Sequence, residues 1–259
     1  MIAISIRGQM QYKASFIMMV IGEFFINAVE VAGIWALFTR FGSLEHWDLA
    51  HVCVFYGLVH ISFAIADSIS TGFDQFGPLY IRTGQLDRIL LRPRSIFLQV
   101  FGHELALRRI GRLLQGLIVL GWGLYSLDVE LTLWRIALIL LTITGALCFF
   151  LALFVFQATI SFWSVESLEL MNTMTYGGVE SAQYPMAIYE RWFRNFFTYV
   201  IPLSCIAYFP VIAILGIEDP LGSSRPFQMA APLAGVAFFA FAVWIFHRVG
   251  LRHYASTGS

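Results

Sequence analysis

TLWRIALILLTITGALCFFLALFVFQATISF, residues 132–162, carries one charged side chain, Arg135, in thirty-one positions. A helix rises about 1.5 Å per residue, so roughly 20 such residues cross the ~30 Å of hydrocarbon in a bilayer. The run is longer than one crossing requires, which implies a tilted helix or one that continues into water. It lacks the alternation of a membrane β-barrel strand. Continuous apolar sequence with an internal Gly145 favours a helix, which satisfies its own backbone hydrogen bonds in lipid.

The same character extends through the chain. With 59% hydrophobic residues, 25 Phe, 7 Trp and a mean hydropathy of +0.75, the 259 residues carry more apolar surface than one soluble core buries. The fold class is therefore an all-α integral membrane protein, one transmembrane domain over 1–259. Six runs qualify as transmembrane helices: about 15–39, 49–72, 109–127, 132–162, 193–216 and 229–249. Pro202 and Pro210 each remove a backbone donor within the fifth run and predict a kinked or broken helix there.

Placement of the basic residues gives the orientation. With the N-terminus inside, Arg7, Lys13, Arg82, Arg88, Arg92, Arg94, Arg108, Arg109, Arg112, Arg191, Arg194, Arg248 and Arg252 fall on or near the cytoplasmic side. Only Arg40, Arg135 and Arg225 fall outside, a split of 13 to 3 that the opposite topology does not yield. Both termini are then cytoplasmic. The N-terminal stretch lacks the short apolar core and cleavage site of a secretory signal. The outer loops near 41–48, 128–130 and 216–228, the last with Pro220, Gly222 and Pro226, are short and leave no room for a folded outer domain. Two cytoplasmic stretches remain, about 73–108 and 163–192, the second with Glu166 and Glu169 ahead of Gly177-Gly178 and Pro185.

Composition also excludes functions. A formal net charge of zero and no basic tail argue against nucleic acid as a partner. Cys53, Cys148 and Cys205 lie in apolar runs, where a small hydrophobe is the ordinary reading. His46 and His51 lack the spacing and the glutamate of a zinc protease, and Ser62 sits in no nucleophile elbow. A phosphate-binding P-loop ends in Gly-Lys-Ser/Thr, whereas the single lysine here, Lys13, follows Tyr12. The chain thus has no ATP site of that kind and no catalytic or metal-ligating residues are assigned.

Two groups of residues remain as candidates. Glu23, Asn27 and Glu30 recur at four and three and share one helical face of the first run; His60 and Asp67, seven apart, share one of the second. Carboxylates within a membrane normally face a bundle interior or a wet path. They suit either a substrate pathway for a cationic or amphipathic molecule, or hydrogen bonds between helices. The second group is GQLDRILLRPRS, residues 84–95, where Gly84 and Pro93 bracket a helix-compatible piece with Leu86, Ile89 and Leu90 on one side and Asp87, Arg88 and Arg92 elsewhere.

YKASF at 12–16, GQLDRILLRPRSIFLQV at 84–100, SFWSVESLELMNTMTYGGVESAQYPMAIY at 161–189 and FFTYVIPLSCIAYFPVIAILG at 196–216 together resemble an ABC-2-type transporter permease. The resemblance is closest to the branch of six-span permeases found as two dissimilar permeases beside one ATPase, and covers nearly the whole chain in order. It implies an exporter half in the inner (plasma) membrane, paired with a second six-span permease, a different one by the family's habit. Two ABC ATPase subunits would bind ATP and Mg, leaving this chain without a cofactor of its own. It also implies a coupling helix in the loop after the second span, which places that role on Gly84, Leu86, Asp87, Arg88, Leu91 and Arg92. The leucines would fill a groove on the ATPase, and the charged residues would fix orientation. Anchoring of these arginines at anionic headgroups is the plainer reading of the same residues. The family further carries short re-entrant helices on the outer side near the fifth span. Rival readings are an ion-coupled secondary transporter, which uses intramembrane acids, and a non-transporting scaffold.

Overall fold

The computed structural model describes residues 2–44, 46–164, 168–219 and 222–254. Glu166 and Pro220 lie outside the described residues, as does the side chain of Glu169. Every regular element among the described residues is helical. A short helix α1, Ile2–Gln9, leads into α2, Lys13–Phe41, which Gly42 ends with φ +81° and its N–H on the Phe38 carbonyl at 2.8 Å. Asp48 and His51 form a capping box that starts α3, Leu49–Ile69. The turn α4, Thr71–Asp74, follows, then α5, Gln85–Leu90, and α6, Ile96–Phe101.

Helices α7, Ile110–Ser126, and α8, Leu133–Ile160, form the centre of the bundle with α3. Small residues set the approach. A Cβ on Gly57 would fall 2.6 Å from Leu120 Cβ, and one on Gly123 3.0 Å from the Ala50 carbonyl, so α3 and α7 run antiparallel in close contact. Opposite them, α13, Arg225–Ala230, leads to α14, Leu233–Ile245, which lies along α8 in the same direction: Gly235 meets Gly145, and Gly250 meets Thr159 and Phe162. Among the described residues, four helical stretches are long and apolar enough to cross a membrane: 6–41, 49–69, 133–160 and 233–253. At 17 residues α7 is one turn or so shorter than the average span.

The fifth expected run is corrected. Residues 193–216 are not one helix: α10, Arg191–Asn195, with its π-helical continuation Phe196–Val200, is bent 76° from the stretch Leu203–Leu215. The chain leaves helical geometry at Ile201-Pro202, forms α11, Leu203–Ile206, and breaks again at Ala207 before α12, Tyr208–Leu215. Pro210 occupies the first turn of α12, where its missing N–H has no intrahelical partner to lose. Both ends of this bent unit lie together, since Arg191, Arg194 and Asn195 line the same cleft as Asp219 and Ser223. That end is the one bearing Trp47, whose ring meets Tyr208 at 6.3 Å. The unit therefore turns by roughly a right angle inside the bundle. Its break at Ile201-Pro202 is half-buried and Leu203 through Ala207 are buried in protein, the condition under which non-helical backbone is tolerated at membrane depth.

The stretch 163–192 is corrected with it. Helix α9, Leu168–Ala182, runs through Gly177-Gly178 rather than ending there, and packs within the bundle on α3 and α8, antiparallel to α3, with Tyr176 against Phe63 at 5.5 Å and Gln183 bonded to His60 at 3.2 Å. Its C-terminal end leads toward the Trp47 end of the bundle, and Arg191 and Arg194 are found there rather than near α5.

Candidate functional site

The five membrane-embedded residues singled out by spacing converge on one polar ladder. As α2 runs antiparallel to α3, Glu23 comes level with Asp67, Asn27 with Phe63, and Glu30 with His60 and Tyr56. What joins them is α7. Arg109 NH1 donates to Glu23 Oε1 at 2.6 Å, and its Nε lies 2.8 Å from Asp67 Oδ2, in ion-pair contact without hydrogen-bond alignment. One turn on, Arg112 Nε donates to Asn27 Oδ1 at 2.7 Å while its guanidinium sits 5.1 Å over the Phe63 ring. Gln115 Nε2 then donates to Tyr56 Oη at 3.2 Å, and Tyr56 donates to Glu30 Oε2 at 3.2 Å.

The far end of the ladder reaches α9. Gln183 Nε2 donates to Glu180 Oε2 at 2.8 Å, which turns its carbonyl oxygen toward His60. His60 Nε2 must then be the protonated nitrogen, stacked beneath Tyr56 with ring centres 3.8 Å apart. Spare capacity remains at Glu30 Oε1, His60 Nδ1, Arg112 NH1 and Gln115 Oε1, all buried without a hydrogen-bond partner. Spacing pointed to the acids but not to Arg109, Arg112 and Gln115, which recur every three residues and so share a face of α7. The signal was present; it was absorbed by the count of basic residues at the membrane edge. No group of three metal-binding side chains occurs among the described residues.

The second candidate group lies at the opposite end of the bundle from Trp47. Gly84, at φ +68°, adopts the left-handed conformation that starts α5. Leu86 is fully buried and Ile89 nearly so, both in the chain's own core, so Leu86 cannot fill a groove on another protein. The leucines exposed beside it are Leu90 and Leu91, the latter at 86%. Arg88, Arg92 and Arg94 are exposed around them. Gln99 Nε2 donates to the Arg94 carbonyl at 3.1 Å and holds the turn between α5 and α6. Burial pushes the nearby Tyr80 phenol up to about 12. Asp87 Oδ1 accepts the Tyr254 hydroxyl at 3.0 Å, which attaches α5 to the chain beyond α14. Burial, then this bond, raise the Tyr254 phenol above its ordinary value, so it remains a donor at neutral pH. At the same end burial raises the Asp74 carboxyl, opposed by the Gln157 amide that donates to it at 3.1 Å.

Comparison with known proteins adds one finding. A family model described as ABC-2 family transporter protein matches residues 24–258. No curated protein and no solved structure matches the chain.

Proposed function

Since the chain belongs to the ABC-2 transporter family, as a multi-pass membrane permease without an ATPase of its own, we propose that it is one half of the membrane channel of an ATP-driven exporter. In this reading six helices cross the plasma membrane: α2, α3, α7, α8, α9 and α14. Both termini and α5 lie in the cytoplasm, and the bent unit from Arg191 to Leu215 enters from the outer side. Arg191 and Arg194 then move outward, and eleven of the 16 basic residues remain inside. Two ABC ATPase subunits supply ATP and Mg chemistry, and a second six-span permease completes the pathway, with membrane lipid around both.

The observation that carries the reading is the construction of α5. Leu86 and Ile89 root the helix in the bundle core while Arg88, Leu91 and Arg92 face outward. A short rigid element with a buried root passes a push from outside into the spans. Gly84, Asp87, Arg88, Leu91 and Arg92 are assigned to this coupling, with Leu86 as its anchor. ATP-driven closure of the ATPases would move α5 and shift the permease pair between inward-open and outward-open states.

Cargo is assigned as a hydrophobic amphiphile. The motive for positively charged cargo weakens, because Arg109 pairs with both Glu23 and Asp67 and Tyr56 bonds Glu30. The pairing of Glu23 and Asp67 also weighs against ion coupling through them, which needs an acid free to exchange its proton. The ladder is instead assigned to hold span α2 to its neighbours.

The test is purification of the tagged chain from its native membrane in mild detergent, with mass spectrometry of what stays bound. Recovery of an ATPase with a Walker-A motif is expected. If the chain emerges alone from preparations that keep other complexes intact, ATP coupling is wrong, and Arg88 and Arg92 become headgroup anchors.

A further inference from the structure

The helix Arg191–Val200 has three faces of different chemistry. Arg191, Arg194, Asn195 and Thr198 recur at intervals of three and four and line a cleft of about 810 Å³. Phe193 and Phe197, in contact at 4.5 Å, pack on the bundle. Trp192, Phe196, Tyr199 and Val200 form the third face and are exposed, Tyr199 at 82%.

The cleft is built for a negative charge. No ion pair engages Arg191 or Arg194 among the described residues, and Arg194 makes only a 3.4 Å contact to the Ala187 carbonyl. One acid lines the cleft, Asp219, and its oxygens accept the Tyr208 hydroxyl at 2.9 Å and the Ser223 N–H at 3.0 Å. Ser223 and Ser224 line the same cleft. Two guanidiniums one turn apart, with hydroxyl and amide donors around them, match the oxygens of a phosphate better than any neutral or cationic group. The exposed apolar face beside the cleft supplies what a phosphate alone does not need: a strip of Trp192, Phe196, Tyr199 and Val200 open to the membrane. Its Trp and Tyr are side chains of the lipid–water boundary.

We propose that this cleft binds the headgroup of an anionic phospholipid-like amphiphile at the Trp47 end of the bundle, with the hydrocarbon lying along the Trp192–Val200 face. Its identification as cargo rests on the transport reading; the binding does not. The test uses the purified full-length chain and compares dioleoylphosphatidylglycerol, dioleoylphosphatidylcholine and glycerol 3-phosphate by titration in native mass spectrometry. Phosphatidylglycerol is expected to bind at least tenfold more tightly than either of the others. Arg191→Gln with Arg194→Gln should remove that margin, and the paired lysine variant should keep most of it. Arg191 is exposed and Arg194 half-buried, and the lysine pair, which keeps both charges, separates loss of binding from loss of folding. Equal binding of the two lipids, a margin that survives the glutamine pair, or glycerol 3-phosphate binding as well as the lipid would each overturn the proposal. Absence of an ATPase from the purified material bears on the transport reading and leaves this result untouched.

Discussion

Tyr254 donates its hydroxyl to Asp87 across 3.0 Å, joining the end of the last span to the short helix after the second. The tyrosine ring also meets Phe162, at the end of α8, at 6.2 Å. Helix α5, to which coupling is proposed, is thus clasped from two sides: Leu86 in the core and Asp87 at the C-terminal segment. Tyr254→Phe removes the bond and keeps the ring, at a cost to stability of about 1–3 kcal/mol for a hydrogen bond to a charged acceptor. We expect the variant to insert and retain its ATPase, while transport per ATP hydrolysed falls several-fold. Equal transport and hydrolysis ratios in wild type and variant would remove Tyr254 from the coupling path. As the phenol is raised above its usual value of about 10, coupling should show no alkaline break from this residue below that pH.

Arg109 serves two carboxylates at once, Glu23 on α2 and Asp67 on α3. Replacing it by Met strands both acids in a site where each is more than four-fifths buried. Loss of one partner from a buried pair costs about 3–5 kcal/mol. Thermal unfolding in detergent should therefore show a large drop for Arg109→Met and recovery when Glu23→Gln and Asp67→Asn are added. A stable single variant would mean that the triad is solvated through a path the closed bundle hides.

The membrane class, the separate polar groups on α2 and α3, and the helix after Gly84 were legible in sequence because each rests on local spacing. Leu86, Ile89 and Leu90 share one side of α5 by spacing, which does not reveal that the core takes Leu86 and Ile89 and leaves Leu90 exposed. The packing of α9 within the bundle was not legible, for a physical reason. Hydropathy scores a helix as though lipid surrounded it, whereas α9 buries Thr175, Gln183 and part of Tyr176 against α3 and α8. The next apolar run, 193–216, scored well because its tip is buried in protein, an environment that demands apolar side chains as lipid does. Pro202 and Pro210 carried the correct signal of a break, but not the size of the bend, 76°, which long-range packing determines.

Glycine substitutions should separate close helix contact from mere helix weakness. A Cβ at Gly145 would strike the Pro232 carbonyl, and one at Gly235 the carbonyl of Gly145. In α9 a Cβ at Gly177 meets nothing within 4 Å. Gly145→Ala is expected to lower the melting temperature in detergent by several degrees, through forced separation of α8 and α14 costing about 1–3 kcal/mol. Gly177→Ala should be neutral or stabilising by up to about 1 kcal/mol, since alanine is the better helix former. Equal effects of the two changes would contradict the packing of α8 on α14.

The course of the chain between Ser164 and Asp219 can be settled by labelling. If α9 crosses and the bent unit from Arg191 to Leu215 enters from outside, Glu190 and Glu218 face the same compartment. If 193–216 were instead a simple span, they would face opposite ones. Glu190 is exposed, whereas native Cys53 and Cys205 are buried and Cys148 half-buried; all three are replaced by alanine before single cysteines are introduced. With a membrane-impermeant maleimide on intact cells, Glu190→Cys and Glu218→Cys should both react, and Arg88→Cys only after permeabilisation. Labelling of position 190 together with position 88, and not with 218, would restore the simple span. It would also return Arg191 and Arg194 to the cytoplasm, apart from Asp219 and Ser223, and so contradict the cleft that these residues line together.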